Sequence, residues 1–280
     1  MIGVCLKWVD PRPEIDRHGS VFTDDRFSGV SSADEAALEW ALRCRDAWGE
    51  PVAVITVGPV GADAALRHAL AAGATNAVRV EAPVDAPSQW VAREVARHLR
   101  SAALIWCGDY SLDRGSGSVP AFVAAECGAA QALGLVHIEL GQPCQLTALR
   151  RLDGGRRERV STSAATVLSV EGSTARLRRA SLRSLLAGGS ASTITSTDSE
   201  QSLPPTHSGT QLTRPYRPRA RVLPAPVGAT ALQRVQALTD SGTHASSGET
   251  VVLEPAAAAE RIILSLREWG YADEPSATLA

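Results

Sequence analysis

Cysteine is sparse and scattered in this chain: Cys5, Cys44, Cys107, Cys127 and Cys144 are the five in 280 residues, and none forms a C-x-x-C pair. That spacing excludes a local zinc, iron–sulfur or dithiol redox motif. Lying mostly inside apolar runs, these residues read as small buried side chains of a reducing compartment. A surplus of either charge is also missing, since 28 Lys and Arg stand against 30 Asp and Glu for a net charge of −2. A near-neutral chain with a pI near 6.3 argues against nucleic acid or an anionic membrane surface as partner. No run approaches the ~20 apolar residues of a membrane span. The amino terminus, Ile2-Gly3-Val4-Cys5-Leu6, reads as a strand rather than a signal peptide, so the expectation is a cytoplasmic protein with no membrane insertion. No Ser/His/Asp set, paired-carboxylate cluster or metal-ligand spacing is evident, so no catalytic and no metal-binding residue is nominated. His68 in a helical pattern and His137 in a strand pattern read as structural.

What the chain does have is a regular alternation of apolar runs and helical patterns. The strand Ile2 to Leu6 is followed by a polar excursion through Asp10-Pro11-Arg12-Pro13 and Arg17-His18-Gly19-Ser20. Ser32-Ala33-Asp34-Glu35 fits a capping box, and Leu38, Ala41 and Leu42 continue with helical spacing to Trp48-Gly49. Val52 to Val57 is continuously apolar, as in a strand buried on both faces of a parallel sheet. A helix Ala62 to Ala72 closed by Gly73, a strand Ala77 to Val80, a helix Gln89 to Leu99 and a strand Ala102 to Trp106 follow. Such alternation builds βαβ units with helices on both faces of a parallel sheet.

Beyond Gly134 the pattern becomes hairpin-like, with runs Leu135 to Leu140, Gln145 to Arg150, Glu158 to Ser161 and Ala165 to Val170 around the turn Asp153-Gly154-Gly155. These are expected to add antiparallel strands. The predicted class is therefore α/β, a doubly wound and mostly parallel sheet with added antiparallel strands and a carboxy-terminal arm. Residues 1–187 are expected to form the α/β domain, 188–226 a Ser/Thr/Pro/Gly-rich linker or extended arm, and 227–280 a terminal arm. In that arm Pro255 to Trp269 carries an apolar stripe of Ala257, Ile262, Ile263 and Leu266, with Gly270 as its stop.

The stretch from Trp106 to Pro120 carries the chemistry. It sits behind an apolar strand and ahead of the helix-like Ala121 to Cys127, and it holds Gly108, Gly115 and Gly117 with Ser111, Ser116 and Ser118. Glycines admit close backbone approach, a helix start offers unpaired N–H groups and serine hydroxyls add donors, the ingredients of a phosphate site. The loop is neither G-x-x-x-x-G-K-[ST] nor G-x-G-x-x-G. A plain turn after a strand is the competing reading.

Four blocks in order carry a family resemblance: Val4-Cys5-Leu6-Lys7, Asp34 to Arg43, Val57-Gly58-Pro59 with Ala65 to Ala74, and the loop from Cys107-Gly108 to Gly117. Together they resemble the β subunit of electron-transfer flavoproteins over roughly residues 1–187, an HUP-like adenine-nucleotide-binding fold. The long arm and the Trp269-Gly270-Tyr271 ending resemble, more narrowly, a divergent actinobacterial branch associated with mycofactocin. The resemblance implies a noncatalytic carrier subunit paired with an α subunit, which holds the redox FAD. It would take electrons from a dehydrogenase and pass them to a downstream acceptor. It also implies AMP, or a second FAD, in a pocket of the β subunit. Mapped by motif, that ligand would meet Lys7, Val57, Gly58, Gly108, Asp113, Arg114, Gly115, Ser116, Gly117, Ser118 and Val119. Leu182 and Leu185 would anchor the dehydrogenase.

Several positions depart from the family pattern. Ser31-Ser32-Ala33 replaces Asn-Pro-Phe, and Asp113-Arg114-Gly115-Ser116-Gly117-Ser118 replaces Asp-Gly-Asp-Thr-Gly-Gln. Ser116 supplies the threonine hydroxyl, Ser118 is too short for the glutamine's reach, and Arg114 adds a cation free to pair with phosphate or point to water. Arg178-Arg179-Ala180-Ser181-Leu182 echoes the docking segment without its proline and lysine, and its arginines read as a solvated basic face. Two other classes compete with the carrier: a stand-alone adenine-nucleotide sensor of universal-stress type, and a related nucleotide hydrolase whose S-G-G-x-D-S loop this chain lacks.

Overall fold

The computed structural model describes residues 1–188 apart from 17, 19 and 25, together with 194–198, 226, 228–239 and 251–268. The chain divides into two compact units, Met1–Tyr216 and Arg217–Ala280. In the first, nine strands form one sheet in the order β11-β5-β4-β1-β6-β10-β7-β8-β9. They are β1 (Ile2–Cys5), β4 (Val52–Gly58), β5 (Asn76–Glu81), β6 (Leu104–Gly108), β7 (Ala130–Leu140), β8 (Leu146–Arg151), β9 (Arg157–Thr162), β10 (Thr166–Val170) and β11 (Ile194–Thr197). The polar excursion folds as the separate hairpin of β2 (Glu14–Ile15) and β3 (Val21–Phe22). Six neighbouring strands, from β11 to β10, run parallel, and the order reverses between β1 and its neighbours β4 and β6.

Strand alternation divides the core into two layers. Ile2, Val4, Val52, Val54, Leu104, Trp106 and Leu168 face α1 (Ser32–Trp48) and α2 (Asp63–Ala72). Ala53, Ile55, Ile105, Cys107 and Val167 face α3 (Ser88–Leu99) and α4 (Val119–Cys127). Each fully buried aliphatic side chain contributes roughly 1.5–3 kcal/mol. On the first face Trp40 stacks on Trp106 with ring centroids 6.2 Å apart, and the Trp40 indole N–H donates to Thr174 Oγ1.

Four local features differ from the sequence expectation. The cap of α1 lies one residue earlier: Ser31 is extended and its hydroxyl accepts the Asp34 N–H at 3.0 Å, so Ser32 is the first helical residue. The run Ala165 to Val170 is no antiparallel hairpin member, because β10 returns to the sheet centre and pairs parallel with both β6 and β7. Its five residues are all buried, a burden the open flank would not satisfy. Within the nine-stranded sheet, among the described residues, only β8 and β9 with the distal half of β7 are antiparallel, and β7 changes partner near Gly134, whose N–H donates to Ser169 Oγ. Within the 188–226 segment, Ile194–Thr197 adds a parallel edge strand to β5, fixed where the buried Arg79 donates to Ser196 Oγ at 2.9 Å. The second unit contains α6 (Ala231–Thr239), which the sequence reading did not expect, and α7 (Pro255–Glu268). Trp269, Gly270 and Tyr271 lie outside the described residues.

Candidate functional site

Where the strand order reverses, the carboxyl ends of parallel strands part and leave a crevice. Here a pocket opens at the ends of β1, β4 and β6, on the α3/α4 side of the sheet. Its floor is apolar, made by Cys5, Leu6, Ile55, Val57, Val91 and Val95, and its rim is the polar loop ahead of α4. The cavity volume is about 90 Å³ and its mouth is open. The pocket gathers Lys7, Val57, Gly108, Arg114, Ser116, Gly117, Ser118 and Val119 of the nominated residues. Gly58, Asp113 and Gly115 stand just outside that lining. Gly58 ends β4 and its carbonyl accepts from Arg79, Asp113 holds Lys7, and Gly115 donates its N–H to Ser111 O in the loop turn.

The charges at the rim are already committed. Lys7, the one lysine of the sequence, is gripped by both carboxylate oxygens of Asp113 at 2.7 Å each. Partial burial works to raise the Asp113 carboxyl, but the hydrogen bonds from Lys7 and Ser111 outweigh it and hold the group below its ordinary value. Arg114 is exposed, and its guanidinium donates to Ala86 O at 3.1 Å and to Asp85 O, tying the glycine-rich loop to the loop before α3. Lys7 is thus neutralised by a carboxylate, whereas Arg114 keeps its positive charge at the rim while its N–H groups are shared with two carbonyls.

Uncommitted donors remain at the start of α4. Ser118 precedes the helix without a side-chain cap bond, and its hydroxyl lies 3.0 Å from Ser116 Oγ. Pro120 has no N–H, which leaves Val119 and Ala121 as first-turn donors beside two hydroxyls. This neutral, dipole-favoured cradle suits a phosphate, and the apolar floor suits a purine. Two glycines make the close approach feasible. A Cβ on Gly108 would stand 2.7 Å from Asp34 Oδ1, and one on Gly117, at φ +58°, would press into Asp109 O.

Sequence reasoning treated Asp34 only as part of a cap, yet it is fully buried in the pocket wall. Burial raises its carboxyl to about 7, against hydrogen bonds from the N–H groups of Lys7 and Gly108 and from Ser31. Only the one-residue shift of the cap reveals this placement, because it brings Asp34 to the inward-facing third position of α1. Asp109 beside it is also raised, by burial and then by Glu171.

Far from the pocket, Arg178 belongs to no solvated face. It clasps the buried Glu39 of α1 with bonds of 2.9 and 3.1 Å and reaches Asp46 at 2.7 Å. Burial favours the protonated Glu39, but Arg178 and Arg43 reverse that and lower its carboxyl. Leu182 and Leu185 lie exposed on α5 (Leu182–Gly188). Among the described residues no group of three or more His, Cys, Asp or Glu is placed to hold a metal, and no helix is long and apolar enough to cross a membrane.

The family model described as the electron transfer flavoprotein domain matches residues 20–195, from the β2–β3 hairpin through the pocket loop and into β11. The chain belongs to the electron transfer flavoprotein family. Protein FixA of Bradyrhizobium diazoefficiens is 28% identical over 166 residues, 54% of this chain and 58% of the relative. The electron transfer flavoprotein subunit beta of Bacillus subtilis is 34% identical over 95 residues, 32% of this chain and 37% of that one. Protein FixA of Sinorhizobium fredii is 29% identical over 197 residues, 65% and 68%. The chain thus spans 58% and 37% of the length of the first two of these relatives, less than two thirds of either.

Proposed function

We propose that this chain is the β-type subunit of a heterodimeric electron-transfer flavoprotein. It completes the support beneath an FAD held mainly by an α subunit, and the assembly passes electrons from a dehydrogenase to a downstream acceptor. FAD supplies the electron chemistry; this chain supplies docking and an adenine-nucleotide site, and is itself no enzyme. The reading is supported by similarity to a named beta subunit and to FixA proteins, and above all by the pocket at the strand-order reversal. In that pocket the α4 donors with Ser116 and Ser118 would take the phosphate, and Cys5, Leu6, Ile55 and Val57 the adenine of AMP or of a second FAD. Lys7 and Asp113 would close the rim as an ion pair, with Gly58 and Gly115 shaping its backbone.

Residues 1–187 carry this role on our reading. The 188–226 segment and the 227–280 arm would reach toward the α subunit, and the exposed Leu182 and Leu185 of α5 would meet the dehydrogenase. The mycofactocin-associated branch rests on the arm and the carboxy-terminal ending alone, and a cytoplasmic location on family habit. Co-expression with an α-subunit gene from the same genome tests the assignment, followed by denaturing release and chromatographic counting of FAD and AMP. One FAD with one AMP per heterodimer is expected for a simple shuttle, and two FAD for a two-flavin carrier. Failure of any heterodimer to form would overturn the carrier reading in favour of a stand-alone adenine-nucleotide sensor.

A further inference from the structure

We infer that Cys5 and Cys107 form a peroxide-oxidisable thiol pair in the floor of the pocket, able to close into a disulfide across the β1–β6 seam. No C-x-x-C motif announces the pair, because 102 positions separate its members in sequence. The sheet brings them together. β1 and β6 run parallel with Val4 opposite Trp106, so the next residues of the two strands, Cys5 and Cys107, stand side by side. Being in register, they project from the same face, the one covered by α3 and α4. Adjacent strands lie ~4.7–4.9 Å apart, inside the ~4.4–6.8 Å span of Cα atoms that a disulfide bridges. The two side chains are within hydrogen-bonding reach of each other, and both line the pocket.

The two thiols are not equivalent. Cys5 is half-buried and reachable through the pocket mouth, whereas Cys107 is buried. Oxidation therefore starts at Cys5. Its thiolate attacks one oxygen of hydrogen peroxide, an S–O bond forms as the O–O bond breaks, and the departing hydroxide takes a proton to become water. The sulfur of Cys107 then attacks the sulfenic sulfur. An S–S bond forms, the S–O bond breaks, and the hydroxide leaves as a second water with the Cys107 proton. Two thiols are oxidised and one peroxide is reduced. The hydrogen bond to Cys5, burial, and the neighbouring Asp34 and Cys127 all raise the Cys107 thiol, so the second step is the slower. Cys127 shares the same apolar cluster and is the competing partner.

The full-length chain, reduced and then exposed to hydrogen peroxide, is digested without reductant and mapped by mass spectrometry, with and without AMP at millimolar concentration. A Cys5–Cys107 linked peptide as the main product is expected, formed at least tenfold more slowly with AMP present. In Cys107→Ser the Cys5 sulfenic acid should accumulate and be trapped by dimedone, and Cys5→Ser should abolish the bridge. A linkage through Cys127, or no linkage while Cys5 is oxidised, overturns the thiol pair, and the wild-type map decides this even where a variant fails to fold. The protection by AMP rests on the nucleotide reading above. A bridge that forms equally fast with AMP upholds the thiol pair and counts against that reading instead.

Discussion

The two flanks of the nine-stranded sheet are built on opposite rules. In the parallel half, β4 is apolar almost without interruption, and β4 and β10 are buried on both faces, with Thr166 and Ser169 as the polar members of β10. In the antiparallel flank, β9 alternates exposed and half-buried residues, and the hairpins are laced by ion pairs such as Arg150–Glu158 and Arg159–Glu139. The first is a rigid armature that holds three strand ends, and with them the pocket, in fixed relation. The second leaves one face to solvent and carries no part of that pocket. Function at the strand ends therefore depends on the armature and should be indifferent to most of the flank.

The comparison breaks first at its core. Trp106 is fully buried against Trp40 in the parallel half, and Trp106→Ala should cost about 3–5 kcal/mol in urea unfolding. Next come two glycines with the same left-handed backbone and different surroundings. Gly117→Ala forces a methyl against Asp109 O at the pocket rim and should cost about 2–4 kcal/mol, together with most AMP binding. Gly154→Ala, at φ +68° in an open turn of the flank, should cost only about 1 kcal/mol and leave AMP binding unchanged. Equal costs at the two sites would erase the distinction.

The third effect depends on pH. The Asp34 carboxyl sits at about 7 in the folded chain against an ordinary 3.8, so the folded state favours its protonated form. Its contribution is fully present below pH ~4 and is lost as pH rises through 7. Asp34→Asn should therefore stabilise the chain more at pH 8 than at pH 5, by roughly 2 kcal/mol in urea titrations. A gain that does not grow with pH would mean that Asp34 is ionised at little cost. The smallest effect belongs to the flank, where Arg150→Ala should change stability by under about 1 kcal/mol because its ion pair with Glu158 is half-exposed.

The parallel core was legible because its signals are local: continuous apolar runs, glycine stops and helical spacing from Ile2 to Cys127. The return of β10 to the sheet centre was not. A buried strand of Val167, Leu168 and Val170 looks the same in a hairpin as in a central position, and only long-range pairing decides. β11 escaped for a related reason, since a short run in a polar segment becomes a strand only when β5 and Arg79 offer it an edge. At the site, eight of the residues nominated by motif line one pocket. What motif missed are the partnerships of charge. Nothing local shows that Lys7 is held by Asp113 across 106 positions, that Arg114 is spent on the carbonyls of 85 and 86, or that Asp34 faces inward.

Photolabelling of the full-length chain with azido-AMP, with the modified peptides mapped by mass spectrometry, tests the nucleotide site most directly. Label confined to residues 83–91 and 107–120 and competed away by unlabelled AMP is the expected result. Label spread over the antiparallel flank, or insensitive to competition, would contradict the assignment of the strand-end pocket to an adenine nucleotide.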